Sequence, residues 1–225
     1  MVRGLSWRSG NAHALLGIVV IEDVAVGPSP PWLRARLVAP AEARLEPERW
    51  DGAVRAMLRS GGFRPTGRNR PAHEFLARVS GGVPSISNLV DVNNVVSLGF
   101  RIPASAIDAG VLGGGVAVRE GRPGERYVFN RSGQELDLEG LLILCGMTDM
   151  PVASPVKDSL VAHVTEETTR VVFCAYGSLE VMAPRDMEAV VDEIARLAIS
   201  AAGGRVSMGW IASARGVEER RPPEY

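Results

Sequence analysis

Short polar side chains recur in a segment that is otherwise apolar, residues 87–98. Asn88, Asp91 and Asn94 follow one another at intervals of three residues, so they share one face if the segment is a helix. Asn93 falls within the apolar stripe of the same helix. Buried amides and carboxylates must hydrogen-bond to one another, to the backbone or to a ligand. The segment therefore predicts either a binding site or a structural hydrogen-bond network with a helix-capping role.

The common signatures of metal, nucleotide and serine-hydrolase sites do not occur in this sequence. The glycine run 113–115 lacks the spacing of a phosphate-binding loop, and Gly-x-Ser-x-Gly is absent. The three histidines lie far apart without metal-ligand spacing, and Cys145 and Cys174 form no Cys-x-x-Cys pair. We therefore expect no metal and no cofactor, and we assign no catalytic residue. Both cysteines are expected to be reduced core residues on strands.

Charge is unevenly distributed along the chain. The formal net charge is -1, which argues against strong nonspecific nucleic-acid binding. Residues 1–78 nevertheless contain 12 Arg and 7 acidic residues, an excess of five positive charges. Arginine side chains suit phosphate recognition, and four of them are the predicted RNA contacts: Arg59, Arg64, Arg68 and Arg70. An ordinary solvated, arginine-rich surface is the alternative interpretation.

Periodicity and chain breakers predict the elements that carry these residues. Apolar, β-branched runs indicate strands at residues 15–21, 115–119, 127–129, 141–145, 169–176 and 205–211. Helical spacing indicates helices beginning at Pro47, Pro71 and Pro184, besides the polar segment 87–98. No apolar run reaches membrane-spanning length. We expect one α+β domain over residues 1–214, a mobile tail over 215–225, no membrane partner and a cytoplasmic location.

Residues 71–176 resemble the editing domain of the phenylalanyl-tRNA synthetase β subunit. Asp91 and Asn94 stand in a stretch similar to the family pattern Val-Asp-x-x-Asn, and Pro103 and the turn residue Asp108 follow in order. Further similar segments follow at residues 115–119, 140–143 and 164–171. The resemblance implies an α+β fold of mixed sheets with flanking helices.

The resemblance also implies an activity, the hydrolysis of tyrosine wrongly esterified to the phenylalanine tRNA. Ser105 stands where the family has a histidine, and Cys174 stands where the family has a pocket glutamate. The first hypothesis is a free-standing protein that hydrolyses the ester of a mischarged aminoacyl-tRNA in trans. One alternative is a non-catalytic module of the same fold that binds RNA, an amino acid or a small metabolite. Another is a structural or interaction protein whose polar helix only stabilises its core.

These observations predict a core and a pocket. The expected shared core comprises Val90, Val92, Val96, Leu142, Ile143, Val171 and Val172. The resemblance brings three segments together into a substrate pocket with tRNA, aminoacyl-tRNA or a small amino-acid-like molecule as its ligand. Its predicted lining residues are Asn88, Asp91, Asn94, Ser105, Asp108, Thr165 and Thr168.

Overall fold

The helices of the chain lie mainly where helical spacing predicts them. The computed structural model describes residues 2–38 and 46–220. Its α-helices are α1 Pro31–Val38, α2 Pro47–Arg59, α3 Ala72–Leu76, α4 Asn88–Phe100 and α5 Pro184–Ala202. Helix α1 is not predicted from the sequence, because the proline-rich run that precedes it indicates a break. Pro31 is the first residue of α1, a position at which proline loses no helical hydrogen bond.

The strands confirm the six predicted runs and add five short or peripheral ones. They are β1 Leu5–Trp7, β2 Ala14–Glu22, β3 Ala104–Asp108, β4 Val116–Glu120, β5 Arg126–Val128, β6 Glu135–Asp137, β7 Leu142–Cys145, β8 Pro151–Ala153, β9 Arg170–Ser178, β10 Arg205–Ser213 and β11 Gly216–Arg220. The larger sheet has the order β11-β10-β2-β9-β3 with antiparallel pairing throughout. Because β2 lies at its centre and is buried on both faces, its sequence is a continuous apolar run.

A second sheet has the order β1-β4-β7-β8, and β5 and β6 form a separate hairpin. The pairing of β1 with β4 is parallel, whereas β7 pairs antiparallel with β4 and β8. The architecture is therefore α+β, with mixed sheets and flanking helices, as predicted.

Helix α5 packs closely against β2 in the larger sheet. A Cβ atom at Gly17 would lie 2.6 Å from Val191 Cγ2 and 2.7 Å from Met187 Sδ, so glycine lets the helix approach the strand. Helix α4 packs against α5, α1 and β3. This packing buries α4 on more than one side, so its polar residues need partners.

The predicted core is largely confirmed. Of its seven residues, Val90 is the exception, since it is half-buried and lies outside the core cluster. The other six belong to that cluster: Val92, Val96, Leu142, Ile143, Val171 and Val172. Cys145 and Cys174 are buried free thiols on β7 and β9, as expected.

The end of the described chain differs from the predicted mobile tail. Residues 216–220 form β11, which pairs with β10 from Ser213↔Gly216 to Gly209↔Arg220. Charge and proline content indicated mobility, but the backbone hydrogen bonds of a hairpin do not depend on an apolar sequence. Residues 221–225 lie outside the described residues. None of the described helices is long and apolar enough to cross a membrane.

Candidate functional site

Three side chains from distant parts of the chain meet beside strand β3. Ser105 Oγ donates a hydrogen bond to Asp158 Oδ1 at 2.6 Å and lies 3.1 Å from Tyr176 Oη. Ser105 and Tyr176 are each 0% exposed, whereas Asp158 is half-buried. Strand β3 carries Ser105, β9 carries Tyr176, and the loop after β8 carries Asp158. We call these three residues the buried hydroxyl–carboxylate cluster.

The loop that carries Asp158 is held by its own hydrogen bonds. Ser154 N donates to Asp158 Oδ1 at 3.3 Å, and Ser154 Oγ donates to the carbonyl of Lys157 at 2.7 Å. Tyr127 Oη, from the β5–β6 hairpin, donates to the same Lys157 carbonyl at 2.5 Å. The position of Asp158 is therefore determined by contacts with two other parts of the molecule.

Burial dominates the electrostatics of this cluster. It raises the pKa of Asp158 to about 7, although the hydrogen bonds from Ser105 and Ser154 act in the opposite direction. Burial likewise raises the pKa of Tyr176 and of Cys174 well above their usual values. Cys174 is therefore a neutral thiol near pH 7, which is the behaviour of a small buried hydrophobe and not of a nucleophile.

Two predicted pocket residues instead attach the beginning of α4 to neighbouring segments, and Asn88 is the first of them. Asn88 Nδ2 donates to the carbonyls of Ala25 at 2.9 Å and Ala201 at 3.1 Å, and its Oδ1 accepts from Gly27 N at 3.2 Å. These partners follow β2 and end α5. Asn88 thus connects three elements through backbone groups, as a structural amide does.

Asp91, the second, is satisfied by neutral donors. Its carboxylate accepts from Ser29 Oγ at 2.5 Å, from Ile86 N at 2.9 Å and from Ser85 Oγ. The residue is 0% exposed. Three donors around one fully buried carboxylate make a network that orders the loops on both sides of it.

Asn93 and Asn94 behave differently from the two polar residues before them. Asn93 Nδ2 donates to the Ala104 carbonyl at 3.0 Å, but its buried Oδ1 has no partner among the described residues. Asn94 is buried, and within residues 2–38 and 46–220 its amide forms no hydrogen bond. The polar face of α4 is therefore not one continuous network.

Three further predicted pocket residues form a turn-stabilising group. Asp108 accepts from Gly110 N and from Thr168 Oγ1, each at 2.6 Å. Thr168 Oγ1 also accepts from Thr165 N at 3.0 Å, and Thr165 Oγ1 donates to Glu167. The hydrogen bonds thus divide the seven predicted residues among four groups and Asn94, and of the seven Ser105 alone belongs to the buried hydroxyl–carboxylate cluster.

The predicted RNA contacts lie on an exposed stretch that follows α2. Arg59, Arg64 and Arg68 are exposed and Arg70 is half-buried. Across the described ranges none of the four guanidinium groups has an ion-pair partner. We call residues 59–70 the basic stretch.

One hydrogen bond and one electrostatic interaction show that the basic stretch lies close to the loop of Asp158. Ala72 N, just after the stretch, donates to the Pro155 carbonyl at 2.9 Å. The pKa of the Lys157 ammonium group is lowered, mainly by burial and secondly by the positive charge of Arg68. The Lys157 Nζ atom lies 4.0 Å from the centroid of the Phe129 ring. Positive charge thus lies immediately outside the buried cluster.

A second polar cluster joins α2, α3 and the end of α4. Arg55 pairs with both oxygens of Glu74, while Arg101 donates to both oxygens of Asp51 at 2.8 Å. His73 Nε2 lies 3.1 Å from Asp51 Oδ1. We call these five residues the ion-pair cluster.

Asp51, His73 and Glu74 lie close enough together to be considered as metal ligands. Burial raises the pKa of Asp51, but hydrogen bonds from His73 and Arg101 outweigh that effect and lower it. The two guanidinium groups already compensate both carboxylates, so a bound cation would meet like charge. The donor set therefore fits a structural ion-pair network better than a metal site.

Three cavities lie elsewhere on the molecule. The first, of about 410 Å³, lies between α1, α3 and α4 and includes Leu37, Leu98 and Arg101 in its lining. A shallow one of about 260 Å³ borders the basic stretch and is lined in part by Arg64 and Glu139, and another of about 420 Å³ borders β1. These three cavities are not lined by the seven predicted pocket residues.

Sequence reasoning did not identify Asp158 or Tyr176 as site residues. Asp158 is a lone carboxylate in a short loop, and Tyr176 ends an apolar run that indicates a core strand. The signal in the sequence was weak, namely an acidic residue two positions after the apolar run 151–156 that is broken only by Ser154. Their partner Ser105 was identified only through the resemblance.

Comparisons with known proteins agree with this fold. The model of the B3/4 domain family matches residues 67–186. The phenylalanine–tRNA ligase β subunit of Streptococcus pneumoniae is 34% identical over 93 residues, which cover 40% of this chain and 12% of that protein. The β subunit from Halalkalibacterium halodurans is 30% identical over 157 residues, 69% of this chain and 14% of that protein. The chain thus corresponds to a small part of these relatives.

A solved structure extends the similarity to nearly the whole chain. It is an N-terminal fragment of the phenylalanyl-tRNA synthetase β subunit from Pyrococcus horikoshii, and the match covers 98% of this chain and 55% of that one. The TM-score is 0.55 at 10% sequence identity, so this likeness concerns the fold alone. Because the family match spans more than half of the sequence, the chain belongs to the B3/4 domain family of the phenylalanyl-tRNA synthetase β subunit.

Proposed function

We propose that this protein binds the acceptor end of an aminoacyl-tRNA and hydrolyses the ester of a mischarged amino acid. The observation that carries the proposal is the adjacency of the basic stretch to the buried hydroxyl–carboxylate cluster. Exposed, unpaired arginines favour phosphate groups, and a cluster of hydroxyls with a carboxylate favours the polar part of an amino acid. The names of the relatives make tRNA the natural nucleic acid to test.

Hydrolysis of an aminoacyl ester does not require a nucleophilic side chain. Water adds to the ester carbonyl carbon, the bond to the ribose oxygen breaks, and one proton passes from the water to that oxygen. An enzyme can promote this step by positioning the water and stabilising the developing charge. Neutral Cys174 takes no part as a nucleophile. We assign no residue as the catalytic base.

The direct test is a deacylation screen. A panel of mischarged tRNAs is incubated with and without the protein, and the ester that remains is quantified over time. We expect faster loss of at least one amino acid and little effect on correctly charged tRNAs. The Ser105→Ala variant should reduce this rate while it retains the fold. If no ester in the panel is lost faster than in buffer, the hydrolase proposal is wrong.

The RNA part of the proposal has its own test. Replacing Arg59, Arg64, Arg68 and Arg70 together by Gln should weaken tRNA binding and reduce its salt dependence, by a slope of about 0.7 for each lost phosphate contact. The matched control replaces four exposed arginines outside this stretch that also form no ion pair in the described part of the chain, namely Arg34, Arg78, Arg185 and Arg215. Equal losses in both variants would mean that the basic stretch has no specific role.

A non-catalytic module of the same fold is the second candidate. It is favoured by the complete burial of Ser105 and Tyr176 and by the use of the Ser105 hydroxyl as a donor to Asp158. A protein of this kind would bind tRNA or a small amino-acid-like ligand with the same dependence on the basic stretch, but would leave every ester in the panel intact.

A further inference from the structure

The carboxylate of Asp158 is surrounded by hydrogen-bond donors but has no positive partner. Oδ1 accepts from Ser105 Oγ at 2.6 Å and from Ser154 N at 3.3 Å. Within the portion of the chain that the structure describes, Oδ2 accepts no hydrogen bond and no Arg, Lys or His forms an ion pair with this carboxylate. One oxygen is therefore held in place by the protein while the other remains free to accept.

The two basic residues closest to Asp158 along the chain, Lys157 and His163, do not compensate this charge. Lys157 is the preceding residue, yet its ammonium group lies over the Phe129 ring. His163 interacts with the backbone of Asp158 and not with its carboxylate, and burial lowers the pKa of its imidazole, which favours the neutral form. Positive charge therefore lies close to Asp158 but does not contact its Oδ2 atom.

Asp158 is half-buried as a residue, but the surrounding protein desolvates its carboxyl group. A desolvated carboxylate without a counter-charge is costly when ionised, and the usual compensation is a cation. An amino acid esterified to tRNA carries one cation of its own, the α-ammonium group, which also offers three N–H donors. We propose that Asp158 binds the α-ammonium group of the substrate amino acid through Oδ2, an inference that rests on the proposed function for the identity of the substrate.

The other members of the cluster, together with Ser154, are positioning residues in this arrangement. Ser105 and Ser154 hold Oδ1, and the hydroxyl of Tyr176 lies 3.1 Å from Ser105 Oγ. Their hydrogen bonds fix the rotation of the carboxyl group, so Oδ2 is presented in one direction. The site takes ligands with a free primary ammonium next to a carbonyl group. It excludes N-acylated amino acids, because their nitrogen carries no charge and retains only one N–H donor.

The pH behaviour of this site depends on few groups. Burial raises the pKa of Tyr127, Cys174 and Tyr176, which therefore stay neutral from about pH 5 to 9. Burial raises the pKa of Asp158 to about 7, and a free α-amino group titrates near about 8. Ligand affinity should consequently pass through a maximum between about pH 7 and 8, since acid protonates the carboxylate and base deprotonates the ligand.

The test uses the full chain and a panel of the twenty L-amino-acid amides, each compared with its N-acetylated form, at about pH 7.4, inside the expected maximum. Binding is measured by calorimetry. We expect at least one amide to bind and its acetylated form not to bind. The Asp158→Asn substitution should weaken binding of that amide at least about tenfold. The control Glu166→Gln, at an exposed carboxylate on a turn, should leave the affinity for the amide unchanged.

Several outcomes would overturn the inference. They are binding of the acetylated amides as tightly as the free ones, an unchanged affinity in Asp158→Asn, a flat pH profile in the unmodified protein, or no binding by any amide. The pH profile needs no variant, so the inference can still be refuted if the Asp158→Asn protein misfolds. Amide binding without deacylation would contradict the proposed hydrolysis alone, while deacylation that persists undiminished in Asp158→Asn would contradict the role of Asp158 alone.

Discussion

Two clusters of buried carboxylates in this protein differ in how their charge is compensated. In the ion-pair cluster, Glu74 and Asp51 each accept hydrogen bonds from two nitrogen atoms of an arginine side chain. In the buried hydroxyl–carboxylate cluster, the donors to Asp158 among the described residues are one hydroxyl and one backbone N–H, both on the same oxygen. The first arrangement is electrically complete without a ligand. The second leaves a negative charge to be neutralised by a proton or by a bound cation.

The difference separates structural polar residues from candidate functional ones. Ion pairs that link α2, α3 and the end of α4 hold elements together, and their removal should be seen in stability. A carboxylate that lowers the stability of the fold when ionised does not have this structural role. Groups with a perturbed pKa are enriched in functional sites, so Asp158 is a candidate functional residue. Substitutions in each cluster should therefore change stability in different ways.

The largest loss of stability is expected from Arg55→Ala. Glu74 has a side chain that is only 1% exposed, so removal of its partner leaves a buried charge uncompensated and should cost about 3–5 kcal/mol of unfolding free energy. Urea denaturation at neutral pH measures this cost. The control is Arg49→Ala on the same helix, whose ion pair with Glu46 is exposed and should contribute less than about 1 kcal/mol. Similar losses in both variants would contradict the assignment of the ion-pair cluster.

Asp158→Asn should change the pH dependence of stability. The pKa of Asp158 is about 7 in the folded chain and 3.8 in the reference state, so the folded state binds the proton more tightly. Tighter proton binding stabilises the folded state fully below about pH 4. This stabilisation is lost as the pH rises to about 7, by up to about 1.4 kcal/mol of unfolding free energy per pH unit. Asparagine cannot ionise, so the stability of the variant relative to wild type should increase over this range and then level off. A constant difference from about pH 4 to 8, as expected for Glu166→Gln, would contradict the burial of an uncompensated charge.

Asp91→Ala should have an intermediate effect, because its carboxylate is buried but satisfied by three neutral donors. Removing it leaves two serine hydroxyls and one backbone N–H without their acceptor, at a cost of about 1–3 kcal/mol. Asn94→Ala, one turn later on the same helix, removes no hydrogen bond that the described structure contains. It should therefore destabilise the protein less than Asp91→Ala does, and thermal melting of both variants checks the contrast. Equal destabilisation would indicate that the polar face of α4 acts as one network.

The smallest effect on stability is expected in the basic stretch, where charge is also uncompensated but fully hydrated. Replacing Arg64 and Arg68 by Gln should change the unfolding free energy by less than about 0.5 kcal/mol, since both side chains are exposed and make no ion pair with any described residue. Chemical denaturation of the double variant tests this directly. A loss above about 1 kcal/mol would mean that these arginines are structural, and the proposed RNA surface would lose its support.

Local patterns were sufficient for most of the architecture. The strands around residues 15–21 and 169–176 and the helix from Pro184 were predicted because apolar periodicity within a few residues reflects which face is buried. The polar helix was recognised for the same reason, since Asn88, Asp91 and Asn94 are spaced by about one turn. Helix α1 and strand β11 were not predicted, because proline and charged residues usually indicate the end of a helix or strand. In the folded chain, packing against α4 and pairing with β10 stabilise these two elements.

Amino-acid patterns were therefore enough to predict the α+β class, most of the core and the family suggested by the ordered similarity. Which polar residues are neighbours became known from the folded chain alone. Asp158 lies 53 residues from Ser105 along the chain, and Tyr176 lies 71 residues from it, so no local spacing relates them. The sequence also does not show whether the charge of a carboxylate is compensated by a partner, because Asp91, Glu74 and Asp158 are all acidic residues in largely apolar stretches. Whether each meets hydroxyl groups or a guanidinium group depends on which elements pack against it, and that is settled only when the chain folds.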